Sequence, residues 1–387
     1  MSTILATMSR IPVLPLVLLC VLATHAGAAT WSGLSATSDN WSDSTNWQGG
    51  TFPTGTDSIV FPAAAPRSTN VNDIANLTPS SISFSGTYNV SGVAIAPSGI
   101  TVMTAVTVVT IANNIPLPAG GLTVTVSDAT SALNLQGIIS SLTDGVTNAG
   151  VGALGYTGAA TNTYAGATTV NSGTLVLNRT GAAIAVPGAL TVGNGSAATV
   201  TVVACPEIAN ASVVTVNANA IFDLSTATGT DVAPDTETIN ALNGAGTVNL
   251  GANSLGCIGP ASGTFTGSIT GTAAPTNPSI RKATSGIFKL TGNNTYTGTT
   301  TLAGGEIRVL GSQPTSNVTV SAGTLGLSSG GSVGNVTFTT GSASAFAPGN
   351  DVGSTQGTTG NLVMVSMTTY RVNVGGATTS TYSNVSA

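Results

Sequence analysis

The stretch NTYAGATTVNSGTLVL (Asn162 to Leu177) returns as NTYTGTTTLAGGEIRV (Asn294 to Val309). Tyr164 matches Tyr296, Gly166 matches Gly298, Thr168 matches Thr300, Val170 matches Leu302, Gly173 matches Gly305 and Leu175 matches Ile307, all at one offset (296 − 164 = 132). An echo held at one spacing marks a chain assembled from like units, and it restricts the fold more than any other feature of the sequence. Within the unit, Val170 ends a short strand, Asn171-Ser172-Gly173 supplies a bend with a permissive glycine, and Leu175 and Leu177 share one face of a second strand. Such a unit cannot bury its apolar face alone. It must stack on neighbours, and short β units with glycine at the corners stack into a solenoid.

The rest of the chain fits the same pattern. Ile82 to Ile95 and Thr101 to Ala112 alternate β-branched residues and are broken every few positions by Gly, Asn or other turn formers, while proline falls in bends such as Asn114 to Pro118. No window holds a sustained 3.6-residue apolar period with caps, so almost no helix is expected. A parallel coil suits these strands better than a sandwich: its rungs lie about 4.8 Å apart and place like on like, so inward positions accept any aliphatic residue. Charged residues make up 5% of the chain, against roughly a quarter in ordinary globular proteins, and glycine contributes 49 of 387 residues. Thr, Ser and Asn must therefore solvate the surface. A 41% hydrophobic content and a mean hydropathy of +0.37 exclude the composition of a disordered chain. Because a solenoid lengthens without widening, chain length sets no domain count.

The segment LTGNNTYTGTTTLAGGEIRV (Leu290 to Val309) resembles the repeat of the autotransporter-associated β-strand family, also called the passenger-associated-transport repeat. Upstream, INALNGAGTVNLGANSL (Ile239 to Leu255) and GTFTGSITG (Gly263 to Gly271) are similar to its lead-in strands. Downstream, VTVSAGTLGL (Val318 to Leu327) and APGNDVGSTQGTTGNLVM (Ala347 to Met364) are similar to segments that come after such repeats. The earlier copy departs from the pattern, with GYTGAAT (Gly155 to Thr161) where the later one has KLTGN (Lys289 to Asn293). The resemblance implies an all-β, right-handed parallel β-helix, a hand that the general right-handedness of β connections also favours. It further implies a secreted or cell-surface protein without catalytic activity, a structural stalk or autotransporter-passenger-like module that can present an adhesive end. Rung-by-rung folding outside the cell would help to draw such a chain outward.

Arg10, the apolar run Ile11 to Ala23 and the small residues Ala26-Gly27-Ala28 predict a signal peptide over residues 1–28, with the mature chain starting at Ala29. That run is shorter than the roughly 20 residues that span a bilayer, so no stable membrane span is expected in the mature chain. Leu19 before Cys20 argues against a lipid-attachment cysteine. Residues 29–120 are expected to form an N-terminal Trp-rich cap and the first rungs, 121–345 the β-helix with its repeats, and 346–387 an incomplete C-terminal β segment. Nothing in the sequence resembles a membrane β-barrel. Trp31, Trp41 and Trp47, followed by Phe52 and Phe61, suit a cap that covers the open end of the first rung; the competing reading is a sugar platform built from Trp faces.

Candidate chemistry is sparse. A net charge of −5 and an isoelectric point near 4.5 argue against nucleic acid as a partner, and Arg281-Lys282 is expected to be a solvated turn. Signal cleavage would remove the only histidine, His25, and with it any Ser-His-Asp or Cys-His site. Cys205 and Cys257 are 52 residues apart (257 − 205), a little over two rungs of roughly 20–25 residues, which is too far for a bridge without an inserted loop. Two buried free thiols are expected, with a disulfide closed across an inserted loop as the alternative. Asp231, Asp235 and Glu237, the densest acidic group, read as an exposed loop without a nearby Lys or Arg, with weak calcium binding as the next reading. Nothing brings Glu207, Asp223 and Glu306 together as a glycosidase pair, and Asp128 and Asp144 read as solvated turn residues. The expectation is therefore no catalytic, cofactor or metal site, with surface glycans or other extracellular polymers as the partners left open. The runner-up is a carbohydrate-binding or polysaccharide-degrading β-helix.

Overall fold

The computed structural model describes residues 27–370 except 104, 105, 107, 273–277, 329, 340–343, 350–356 and 366–368. Nearly all of the expected signal segment, and residues 371–387 of the expected C-terminal segment, lie outside the described residues. Within them the chain is an all-β solenoid of about 13 turns, with two short 3-10 turns, Ser44–Asn46 and Gln48–Gly50, inside the Trp-rich segment. Every named strand pair is parallel. Among the described residues no helix is long and apolar enough to cross a membrane.

Alternation in the sequence becomes inside and outside in the coil. In Ala198–Val202, Ala198, Val200 and Val202 are buried and Thr199 and Thr201 face out; the same parity holds in Leu122–Val126 and Leu190–Val192. One in-register column runs Ile59, Ile82, Ile100, Val124, Asn148 and Val170, then Val192 and Val216. Burying each such aliphatic side chain stabilises the fold by about 1.5–3 kcal/mol, so the stack rather than any one rung carries the stability. The one polar member, Asn148, sits at a corner and donates through Nδ2 to Ser172 O at 3.2 Å and Thr174 O at 3.4 Å.

The two copies of the repeat do not lie one above the other. From Val170 the column continues through Val192, Val216, Gly244, Phe265 and Leu290 to Val309, six turns away. The sequence echo instead matches Val170 with Leu302, seven residues earlier (309 − 302). The first strand of the early copy, Thr168–Val170, is thus in line with the second half of the late copy's strand Thr300–Val309. The slip arises in the turn between Val216 and Gly244, which takes 28 residues (244 − 216), against 22 from Val170 to Val192 (192 − 170). There the chain makes an excursion and adds the strand Glu237–Ile239, which starts a new column through Ser254–Cys257, Ser279–Lys282 and the strand Thr300–Val309. Inward positions therefore stack on inward positions, apolar for the most part with Asn148 and Gly244 as exceptions, but not copy on copy.

One corner of the later turns is closed by glycine for steric reasons. A Cβ added at Gly267 would lie 1.9 Å from Gly246 O, one at Gly292 1.8 Å from Gly267 O, and one at Gly311 2.0 Å from Gly292 O. No positive φ is involved at these positions. Successive backbones simply approach too closely for any side chain.

Candidate functional site

The repeat itself supplies one cluster of buried polar groups. Asn162 and Asn294 begin the two copies and are both buried. Asn162 Oδ1 accepts from Ile139 N at 2.9 Å, and Asn294 Oδ1 accepts from Ile269 N at 2.9 Å, so each asparagine satisfies a backbone donor on the preceding turn where the ladder breaks. Two residues on, Tyr164 and Tyr296 bury their rings and share a hydrogen bond of 2.5 Å with Thr168 Oγ1 and Thr300 Oγ1. Burial raises both phenol pKa values, that of Tyr164 to about 12, so both stay neutral. Gly173 and Gly305 take φ of +66° and +68° at the following bend. Asn, Tyr, Thr and Gly are thus the parts of one corner.

A second cluster lies inside the coil and leads into the turn where the slip occurs. Arg179, fully buried, donates from Nη1 to Thr157 O at 2.9 Å and Gln136 O at 3.3 Å, and from Nη2 to Gly137 O at 3.0 Å and Asn162 Oδ1 at 2.6 Å. Its backbone N–H donates to Glu207 Oε1 at 2.5 Å. In turn, Glu207 N donates to Glu237 Oε2 at 3.0 Å and Ile208 N to Glu237 Oε1 at 3.4 Å. Side chains thereby replace the missing strand pairing between these turns. Both glutamates have no exposed surface. Burial first, then for Glu207 the neighbouring Glu237 charge, pushes each carboxyl up to about 8, against the backbone N–H groups that favour ionisation. Cys205 lies in the same environment; burial and then the Glu237 carboxyl push its thiol pKa up.

These positions correct the expectation for the acidic group. Asp235 and Glu237 are buried, not in an exposed loop, and Asp235 does have a basic partner: Arg281 Nη2 and Nε lie 2.5 Å from its Oδ2. Asp231 is half-buried and accepts from Thr238 Oγ1. Arg281-Lys282 is likewise no solvated turn. Both belong to the strand Ser279–Lys282, and buried Lys282 donates through Nζ to Ser285 O at 2.7 Å, Thr284 O at 2.8 Å and Gly259 O at 3.0 Å. Burial lowers the Lys282 pKa and raises that of buried Cys257 to about 12. Cys205 and Cys257 are both free, as expected, though Cys205 is only partly buried. The inward placement of Arg179 and Lys282 escaped the sequence reading, yet parity carried it: Arg179 comes after Leu175 and Leu177 at spacing two, and Lys282 comes two after Ile280.

The other acids are kept apart. Glu207 is inside, Asp223 accepts from Asn249 Nδ2 at 3.0 Å, and Glu306 pairs with Arg308 Nε at 2.6 Å. Asp128 and Asp144 organise turns, accepting from Thr130 N at 2.8 Å and Gly120 N at 2.9 Å. Among the described residues no group of three or more His, Cys, Asp or Glu could hold a metal ion.

At the N-terminal end the three indoles are buried and packed against each other. Trp31 and Trp41 meet Trp47 edge to face at 5.1 Å and 5.7 Å, Trp41 and Trp31 touch Phe61, and Phe61 stacks on Phe84 at 4.8 Å. Each indole N–H is used: Trp41 Nε1 to Asn70 Oδ1 and Trp47 Nε1 to Trp41 O at 2.7 Å, and Trp31 Nε1 to Arg67 O at 2.9 Å. The cluster fits a cap that plugs the first turn, and no indole face is presented to solvent as a sugar platform would require.

Two segments match the family model of the passenger-associated-transport repeat, residues 147–177 and 280–309. They contain the two Asn-Tyr-Thr-Gly corners. No curated protein and no solved structure matches the chain. The chain is a β-solenoid protein that carries two passenger-associated-transport repeats.

Proposed function

We propose that the chain is a non-catalytic scaffold of a secreted or cell-surface protein, a passenger-like stalk whose work is to hold shape outside the cell. The observation that carries this reading is how the polar side chains are used. Asn162, Asn294, Arg179, Glu207, Glu237 and Lys282 bond mainly to backbone groups at corners and breaks in the ladder, which leaves a continuous aliphatic interior from the Trp cluster through both repeats. A catalytic centre would need ionisable groups converging on a solvent-reachable point. The repeat family supports an extracellular setting. Antibody labelling of intact host cells, with fractionation of cells and medium, tests the location: surface or medium signal is expected, and cytosolic retention would sink the proposal. Incubation with a polysaccharide panel should leave reducing ends unchanged, and release of oligosaccharides would overturn the non-catalytic part.

A further inference from the structure

The sequence contains two Asn-Gly pairs, Asn194-Gly195 and Asn243-Gly244, and the fold treats them in opposite ways. An asparagine side-chain amide can be attacked by the backbone nitrogen of the next residue when that nitrogen is unpaired and nothing crowds the approach; glycine, lacking Cβ, crowds it least. We infer that Asn194 is a site of spontaneous deamidation and that Asn243 is protected in the folded chain.

Asn194-Gly195 lies in the turn between Leu190–Val192 and Ala198–Val202, with residues 194–197 exposed. Among the described residues, neither the Gly195 N–H nor the Asn194 side chain has a hydrogen-bond partner. Gly195 has φ of +105°, and a Cβ placed on it would meet nothing within 4 Å, so a ring closing at this point meets no neighbour. Its carbonyl is held only by a long bond of 3.4 Å from Asn219 Nδ2. Asn243-Gly244, by contrast, ends the strand Ala241–Gly244. Asn243 Oδ1 accepts from Thr264 N at 2.9 Å, and Gly244 pairs with Val216 on one side and Phe265 on the other. A Cβ on Gly244 would lie 2.0 Å from Val216 O, so the backbone has no room to swing towards its neighbour's side chain.

The reaction balances with water alone. The Gly195 nitrogen bonds to Asn194 Cγ, the bond from Cγ to the amide nitrogen breaks, and ammonia leaves with the proton that Gly195 N–H gives up. Water then opens the cyclic imide. Addition at Cγ yields aspartate; addition at the main-chain carbonyl yields the iso-aspartyl linkage, which routes the chain through Cγ and adds a methylene to the turn. Either product adds one negative charge to an exposed corner of a surface that carries few charges, while the paired strands on both sides stay in register.

Peptide mapping tests this on the purified chain held folded in mildly alkaline buffer. The peptide containing Asn194 should gain about one dalton over time and react with protein iso-aspartyl methyltransferase. The peptide containing Asn243 should convert at least about tenfold more slowly, because conversion there waits for local opening. In denaturant the two should convert at similar rates. Equal rates in the folded chain, or an Asn194 peptide that converts only after unfolding, would overturn the inference.

Discussion

A carboxyl group shut inside a β-coil is stable chiefly as the neutral acid, and Glu207 and Glu237 are two such groups. Their carboxyls, raised to about 8 by burial, hold protons in the folded chain that an unfolded chain releases near the ordinary value of 4.5. The folded state therefore binds more protons between those limits. The stability this contributes is full below about 4.5 and is lost as pH rises towards about 8. The melting temperature should accordingly fall across that interval. Glu237→Gln, which cannot ionise, should flatten the profile; a variant that keeps the full pH slope would remove Glu237 from the explanation. Glycine at the crowded corner makes a second residue-scale test. Gly292→Ala forces a Cβ to 1.8 Å from Gly267 O and should cost about 2–3 kcal/mol in urea unfolding. Gly99→Ala, where the nearest atom is 3.7 Å away and φ is not positive, should change stability little. Equal effects of the two would contradict the steric account.

At the scale of elements, a solenoid end is a local object. Trp41 is fully buried, stands edge to face with Trp47 and donates to Asn70 Oδ1, so Trp41→Ala should cost about 3–5 kcal/mol in the turns that it covers. Since each turn touches only its neighbours, hydrogen exchange should quicken from the strand Ser58–Phe61 through Ile82–Phe84 but remain unchanged at Thr300–Val309. Acceleration throughout would mean that the stack unfolds as one block. Elements are also where the sequence is most legible. Strand, bend and strand around Gly173 and the inward run Leu175 and Leu177 come from local period and turn chemistry, and the burial of Trp31, Trp41 and Trp47 from the need of a solenoid to cover its open end. Arg179 and Lys282 are hidden for a different reason: their charge suggests solvent, while their parity puts them inside, and in a corner with several unpaired carbonyls parity wins. Glu237 misleads because proximity to Asp231 in sequence suggests a loop, whereas its carboxyl oxygens replace ladder bonds for Glu207 and Ile208.

The slip between the two repeats belongs to the whole molecule, and no local pattern could reveal it, because it depends on which turn each strand pairs with. The column from Ile59 to Leu327 gives the coil an axial length of roughly 60 Å at about 4.8 Å per turn, with a cross-section that does not grow along the chain. In such a one-dimensional stack the weakest interface sets where the molecule first opens. The 28-residue turn (244 − 216), with the segment from Glu207 that leads into it, is that place on three counts. Residues 228–230 and 232–234 are exposed. Regular pairing lapses between Glu207 and Glu237, where side chains substitute for it. The carboxyls that substitute are those whose ionisation opposes folding. Elastase or another protease of broad specificity should therefore cut first within residues 225–234, and more quickly at mildly alkaline pH than at acid pH after correction for the enzyme's own profile. The two products should stay associated in native gel filtration, because Val192, Val216 and Leu242 still form one continuous interior across the cut. First cleavage in the Trp segment, or separation of the products without denaturant, would place the weak interface elsewhere. Cutting at the predicted turn would establish that a repeat chain tolerates a change of phase by confining its cost to one turn, with both copies of the corner left intact on either side.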